Sequence, residues 1–370
     1  MSRTLQIDAL WRLRTPDQTL LPFEERWMEL DSAEACRGAI VLMQVRGAPL
    51  IGAVGAFGLA FALREDPGDA GLERAMRWLG DARPTAVNLR WALNRIRDVV
   101  APLAPGQRAL AAWDEAQRLC EDDVRCNQRI GVHGADLLKG LARGEGQPLQ
   151  ILTHCNAGAL ATIDHGTALA PIFQLHATGI AVHVWVDETR PRNQGALLTA
   201  WELARAGVPH TVIADNAGGL LMWQGRVDAV ITGCDRVAAN GDVANKIGTY
   251  LKALAASDNG IPFYVACPLS TIDAATDEGS GIEIEIRSPR EITHARGRSS
   301  DGRVSEFALM EESSPALNPG FDITPARLVS GLISEIGLIA PGRDAIAAAL
   351  HQAQTERGRA PGRNGSEPQQ

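Results

Sequence analysis

Apolar positions along the chain recur with two different periods. Over residues 31–143 they return every three or four positions, the spacing of a helix face laid on a core. This stretch opens with Asp31-Ser32-Ala33-Glu34, read as an acidic cap with a glutamate three positions on. Pro84 and the 102–106 stretch cut it into several helices, the last running from about 109 to 141. Residues 144–148 punctuate the chain, and beyond them short apolar runs alternate with helical patterns. The runs at 150–153, 181–186, 211–214, 228–232 and 263–266 predict a parallel sheet covered on both faces. Residues 194–206 and 243–256 are long enough for right-handed crossover helices. The expected architecture is α/β, with a mainly helical domain over 1–145 and a doubly wound domain over 146–354. Residues 355–370, rich in Gly, Pro, Arg and Gln, are expected to be a disordered tail.

Composition narrows the function classes. With 370 residues, 45% hydrophobic and 22% charged, the chain can bury about two cores. A net charge of -8 offers no general attraction to nucleic acid or anionic lipid, although a local basic pocket can still hold one small anion. The N-terminus lacks the apolar core of a signal peptide, and no run approaches the roughly 20 apolar residues of a membrane span. A cytoplasmic location is expected, with no nucleic-acid or membrane partner. Cys36, Cys120, Cys126, Cys155, Cys234 and Cys267 form no CxxC pair and no zinc spacing, so they are read as reduced thiols with no metal site.

In an open parallel sheet, ligands bind beyond the carboxyl ends of the strands. The residues at those ends are His154-Cys155-Asn156, Asp187-Glu188-Thr189-Arg190, Asp215-Asn216, Gly233-Cys234-Asp235-Arg236 and Cys267-Pro268. Any one of them alone could be a helix cap or a turn; their co-location points to a site. Neither GxGxxG nor GxxxxGK[ST] occurs, which argues against dinucleotide cofactors and a P-loop. Asn240-Gly241-Asp242 with Asn245-Lys246 is read as a tight turn into a helix N-terminus with Lys246 on its first turn, either a phosphate ligand or a solvated lysine. Arg46, Gly47, Ala48 and Pro49 break one helix and start another, so Arg46 is either an anion partner or a solvated turn residue. Arg83-Pro84-Thr85 has the same shape. Gly52, Gly55 and Gly58 read as close helix packing.

These segments together resemble the S-methyl-5-thioribose-1-phosphate isomerases, which group with the regulatory subunits of translation initiation factor 2B and the ribose-1,5-bisphosphate isomerases. Matching runs include 17–22, 45–52, 83–89, 151–162, 186–203, 233–250, 262–268 and 318–327, nearly the whole folded chain. The longest are Val186-Asp187-Glu188-Thr189-Arg190-Pro191-Arg192 and the run from Asp235 to Asp242. The resemblance implies that Asp235 and Cys155 are catalytic, and that Arg46, Gly47, Ala48, Arg83, Gln194, Asn245 and Lys246 hold the substrate. It also implies a helical N-terminal domain, a Rossmann-like C-terminal domain, a homodimer, and no cofactor or metal. Cys234, where many relatives have alanine, and Ile286, where an acidic residue is usual, depart from the pattern.

The implied substrate carries phosphate on C1, so its ring cannot open to a free aldehyde and something must protonate the ring oxygen. Asp235 is expected to be that acid, its pKa raised by an apolar site. Cys155, before an expected helix at 158–163, serves either as a thiolate held by helix amides or as a neutral donor. Isomerases of 5-deoxyribose 1-phosphate or ribose 1,5-bisphosphate, and a non-catalytic initiation-factor subunit, are the competing readings. The retained Cys155 and Asp235 argue against the last.

Overall fold

The structure, a computed structural model, describes residues 3–83, 87–142, 144, 146–311 and 313–359. It opens with a small antiparallel sheet of β1 (Gln6–Ile7), β2 (Leu13–Pro16) and β3 (Trp27–Leu30). Five helices follow: α1 (Ala33–Val41), α2 (Ala48–Glu65), α3 (Asp69–Gly80), α4 (Val87–Val100) and α5 (Pro105–Lys139). The cap of α1 is Ser32 rather than Asp31, because the shorter hydroxyl reaches the Ala35 N–H at 3.2 Å. Helix α2 is long and apolar enough to cross a membrane by length and composition, yet 13 of its 18 residues are buried within the protein. Its glycines permit that: a Cβ on Gly52 would lie 2.9 Å from the Asn88 carbonyl oxygen, and one on Gly55 would lie 2.3 Å from Leu89 Cδ1.

The remainder runs β4 (Leu149–Thr153), α6 (Leu169–Ala177), β5 (Val182–Asp187), α7 (Ala200–Arg205), β6 (His210–Ile213), α8 (Gly218–Trp223), β7 (Ala229–Thr232), β8 (Arg236–Ala238), β9 (Val243–Lys246), α9 (Thr249–Asp258) and β10 (Phe263–Ala266). Then come β11 (Ile272–Asp273), α10 (Arg290–Thr293), β12 (His294–Arg298), β13 (Val304–Ala308), β14 (Phe321–Thr324), β15 (Gly331–Ser334), β16 (Gly337–Ile339) and α11 (Arg343–Arg359). The five expected strands are all present, displaced by at most one residue at either end.

The seven-stranded sheet has the order β16-β15-β10-β7-β4-β5-β6, parallel except for β16. Ranked along the chain, its parallel strands lie 3-2-1-4-5-6, the doubly wound order, and the direction of winding reverses between β4 and β7. The expected fold class, a helical N-terminal region followed by a Rossmann-like sheet, is therefore correct.

Alternate side chains along each strand feed two cores. Leu152, Val230, Val265 and Leu332 face Met222, Ala253 and Ile346, from α8, α9 and α11. Ile151, Ile231, Ala266 and Ile333 face Ile130, Ile172 and Leu203, from α5, α6 and α7. A third core fills the helical region, and α5 also supplies Ala112, Trp113, Ala116 and Leu119 to it. Helix α5 is thus a wall of two cores.

Three local expectations fail. Residues 243–256 are not one helix: Val243–Lys246 form β9, paired antiparallel with β8 and β14, and α9 begins only after Gly248, whose φ of 102° breaks the backbone direction. The helix expected at 158–163 is a single 3-10 turn, Ala159–Ala161, because Thr162 is already extended. At the C-terminus α11 continues to Arg359, five residues into the expected tail; residues 360–370 lie outside the described residues.

Candidate active site

A cavity opens where the winding reverses, beyond the carboxyl ends of β4 and β7 and beneath the start of α2. Its lining includes each catalytic or substrate-holding residue that the family resemblance implies, Arg46, Gly47, Ala48, Arg83, Cys155, Gln194, Asp235, Asn245 and Lys246, but not the strand-end residues at 187–190, Asp215, Asn216 or Cys267. Of the Arg83-Pro84-Thr85 turn only Arg83 belongs to the described residues.

Cys155 follows β4 in a left-handed conformation, φ 66°, that a non-glycine residue adopts only when its surroundings hold it. Two hydroxyls do so. Thr189 Oγ1 accepts from the Cys155 N–H at 2.9 Å, and Thr199 Oγ1 donates to the Cys155 carbonyl at 2.7 Å. Asp235, in the same lining, follows β7. Burial pushes its carboxyl above the usual aspartate range, and the neighbouring positive charges of Lys246, Arg83 and Arg46 pull it part of the way back.

Lys246 sits on β9, not on a helix. Its ammonium is buried, donates to the Gly320 carbonyl at 2.9 Å and lies 4.9 Å from the Phe321 ring centre. Burial lowers its pKa, while Cys155 and Asp235 favour its charge. Asn245 next to it is held by Thr249 Oγ1 at 3.0 Å. Gln194 enters at the start of a π-helical turn, Gly195–Thr199, and its buried Oε1 has no protein partner. Gly47 caps α2 at φ 90°, where a Cβ would meet the Ala161 carbonyl oxygen at 2.3 Å. Only glycine allows that approach.

Two further arginines in the lining were missed in the sequence. Arg287 is clamped by Glu291, at 2.6 and 2.9 Å, and by Glu285 at 3.2 Å. Arg192 is less well matched: Glu291 stands 3.8 Å away and its closest donor contact is the weak acceptor Met43 Sδ. Burial brings its pKa down to about 10. Arg192 does belong to the 186–192 motif, so a signal for it existed.

Two neighbouring groups qualify this picture. Cys234 stands beside Asp235, and burial, with the Cys267 thiol just past β10 adding to it, pushes its pKa well up. Among the described residues one acidic cluster, His154, Asp187 and Asp215, has the spacing of a metal site. Lys252 fills that place with an ammonium 3.1 Å from Asp187 Oδ2, and the Asp215 carboxylate accepts the Thr189 and Arg190 N–H groups at 2.7 and 2.6 Å. The cluster is a buried ion-pair network under the site.

A cation-lined cavity at the winding reversal of a doubly wound sheet, holding a carboxyl whose pKa burial raises and a thiol in the same lining, defines an α/β enzyme for a small anionic substrate. The chain belongs to the initiation factor 2 subunit family, whose model matches residues 44–341, and within it to the methylthioribose-1-phosphate isomerases. A relative from Methylocella silvestris named methylthioribose-1-phosphate isomerase is 55% identical over 339 residues, 91% of this chain and 93% of its own. The crystal structure of 5-methylthioribose 1-phosphate isomerase from Pyrococcus horikoshii is 38% identical with a TM-score of 0.82, covering 95% and 96% of the two chains. The crystal structure of the translation initiation factor eIF-2B, subunit delta, from A. fulgidus is 35% identical, with a TM-score of 0.78, over 95% and 100% of the two chains.

Proposed function

We propose that this chain converts the aldose S-methyl-5-thioribose 1-phosphate to the ketose S-methyl-5-thioribulose 1-phosphate in methionine salvage, with Asp235 as acid/base and Cys155 assisting. Asp235 carries the proposal: a carboxyl held between opposing effects, burial raising its pKa and three cations lowering it, is suited to give a proton to the ring oxygen and take one back. That Lys246, Arg83 and Arg46 line one cavity supports their binding the C1 phosphate, and the Gly47–Ala48 turn would let backbone N–H groups at the start of α2 approach it. Ile51, Val87, Ile282 and Ile284 give the same cavity an apolar part, which supports a methylthio group at C5 over a second phosphate.

Ring opening would be followed by movement of hydrogen from C2 to C1, as a proton through an enediol or as a hydride. Deuterium at C2 that stays in the product indicates hydride transfer; its washout indicates the proton route. As an enzyme of this kind the chain would act as a homodimer in the cytoplasm on a small sugar phosphate, without cofactor, nucleic acid or membrane. Turnover compared on the methylthio, 5-deoxy and 5-phospho sugars tests the reading. Preference for either rival sugar would overturn the assigned substrate, and no turnover of any would overturn the enzyme.

A further inference from the structure

Cys155 and Arg46 stand on different parts of the fold, yet one buried side chain joins them. Asn156 points Oδ1 at Arg46 Nη1, and Arg46 Nη2 donates to the Asn156 carbonyl at 2.7 Å. The other end of the amide, Nδ2, donates to Glu202 Oε1 at 2.8 Å and to Thr199 Oγ1 at 3.2 Å. Thr199 has already given its proton to the Cys155 carbonyl, so its oxygen can only accept from Asn156.

An amide has a donor end and an acceptor end of nearly equal size, and its neighbours decide which way it lies. Turned over, Asn156 would set N–H groups against the Arg46 guanidinium and an oxygen against the Glu202 carboxylate. Glu202 is fully buried on α7, and a Cβ on Gly158 would lie 2.4 Å from its Oε1, so the loop after β4 is fitted closely around the carboxylate. Among the described residues no cation forms a salt bridge with Glu202; its Oε1 also accepts the Leu160 N–H at 3.4 Å, and its buried Oε2 has no hydrogen-bond partner. Burying a carboxylate this way carries a cost that packing alone does not explain.

We infer that Glu202 is a positioning residue: by fixing the direction of the Asn156 amide it aims Arg46 into the cavity and, through Thr199, ties that aim to the Cys155 peptide. This rests on the proposed role of Arg46 as a phosphate ligand.

Exchanging polarity tests it. Asn156→Asp replaces the donor facing Glu202 with a second acceptor, whereas Asn156→Asp with Glu202→Gln restores a donor and an acceptor there with the direction reversed and still offers Arg46 an oxygen. In both variants Thr199 must turn its hydroxyl from the Cys155 carbonyl to the new carboxylate. The single Asn156→Asp change should raise KM about tenfold or more with a smaller effect on kcat, and adding Glu202→Gln should recover most of that loss. Thermal melting of all variants, Glu202→Gln alone included, separates misfolding from misaiming. The same cycle, read as the melting shift given by inorganic phosphate, reports on Arg46 without turnover. Absent isomerase activity with an intact phosphate cycle would overturn the proposed reaction but support Glu202 as the positioning residue. Equal KM and equal phosphate shifts for Asn156→Asp with and without Glu202→Gln would overturn the inference.

Discussion

The Asp235 amide donates to the Ala244 carbonyl at 2.9 Å, which ties the proposed acid to the strand that carries Asn245 and Lys246. The carboxyl that changes charge and one of the cations proposed to grip phosphate, Lys246, are therefore held on one backbone ladder. That coupling suits a reaction in which a proton is delivered to a ring whose phosphate is held a few ångströms away.

Removing the acid should leave a folded, nearly inactive protein. Asp235→Asn or Cys155→Ala is expected to lose about 10²- to 10⁴-fold in kcat. Because burial raises the Asp235 pKa and the acid form starts the reaction, parent activity should fall as pH rises through that shifted value. The residual rate of Asp235→Asn should not show this limb. A folded variant with near-parental kcat would remove Asp235 or Cys155 from the chemistry.

Lys246→Met should act on binding first. Loss of one charge-assisted hydrogen bond is worth about 1.5–3 kcal/mol, so KM should rise roughly 10- to 100-fold, with a smaller loss of kcat from misplacement. An unchanged KM would place the phosphate elsewhere.

Gly47→Ala combines a positive φ with a Cβ 2.3 Å from the Ala161 carbonyl oxygen. The turn at Ala159–Ala161 would have to shift, and a loss of about 3 kcal/mol or more in urea unfolding is expected. A loss below about 1 kcal/mol would mean that the loop yields freely.

Stability should also depend on pH in a definite direction. Burial pushes both Glu202 and Asp123 up to about 7. Their charged forms are disfavoured in the folded state, so their contribution is fully present below the unfolded carboxyl pKa of about 4 and drains away as pH rises through 7. For the fully buried Glu202 this amounts to roughly 3 kcal/mol. Asp123→Asn keeps an oxygen for the Ile163 N–H, 2.9 Å away in the parent, and should flatten part of the decline in urea midpoint between pH 5 and 8. An identical slope in the variant would assign the effect elsewhere.

Much of this was legible in the sequence because the signals are local. A run such as Phe263–Ala266, buried at every position, announces a central strand by itself. Strand ends, where such a sheet collects chemistry, brought Cys155 and Asp235 onto a longer set of candidates, and only the family resemblance singled the two out. Lys246 was assigned to the wrong element because β9 exists only through pairing with β8 and β14, the latter more than 70 residues away. Arg192 and Arg287 were passed over for a related reason. An arginine's role depends on which carboxylates reach it, and Glu285 and Glu291 are brought to the cavity by long-range folding. The Asn156–Glu202 pair, 46 residues apart, was invisible on the same grounds.

Helix α5 gives the molecule a property that neither its sheet nor its helical layer has alone. Its first half closes one core and its second half closes another, so melting either would strip a wall from its neighbour. Calorimetry should therefore record one endotherm rather than two, and a cut in the 144–148 stretch should yield two fragments that fail to fold apart yet reassemble when mixed. What reads along the chain as a joint would then behave, thermodynamically, as a weld.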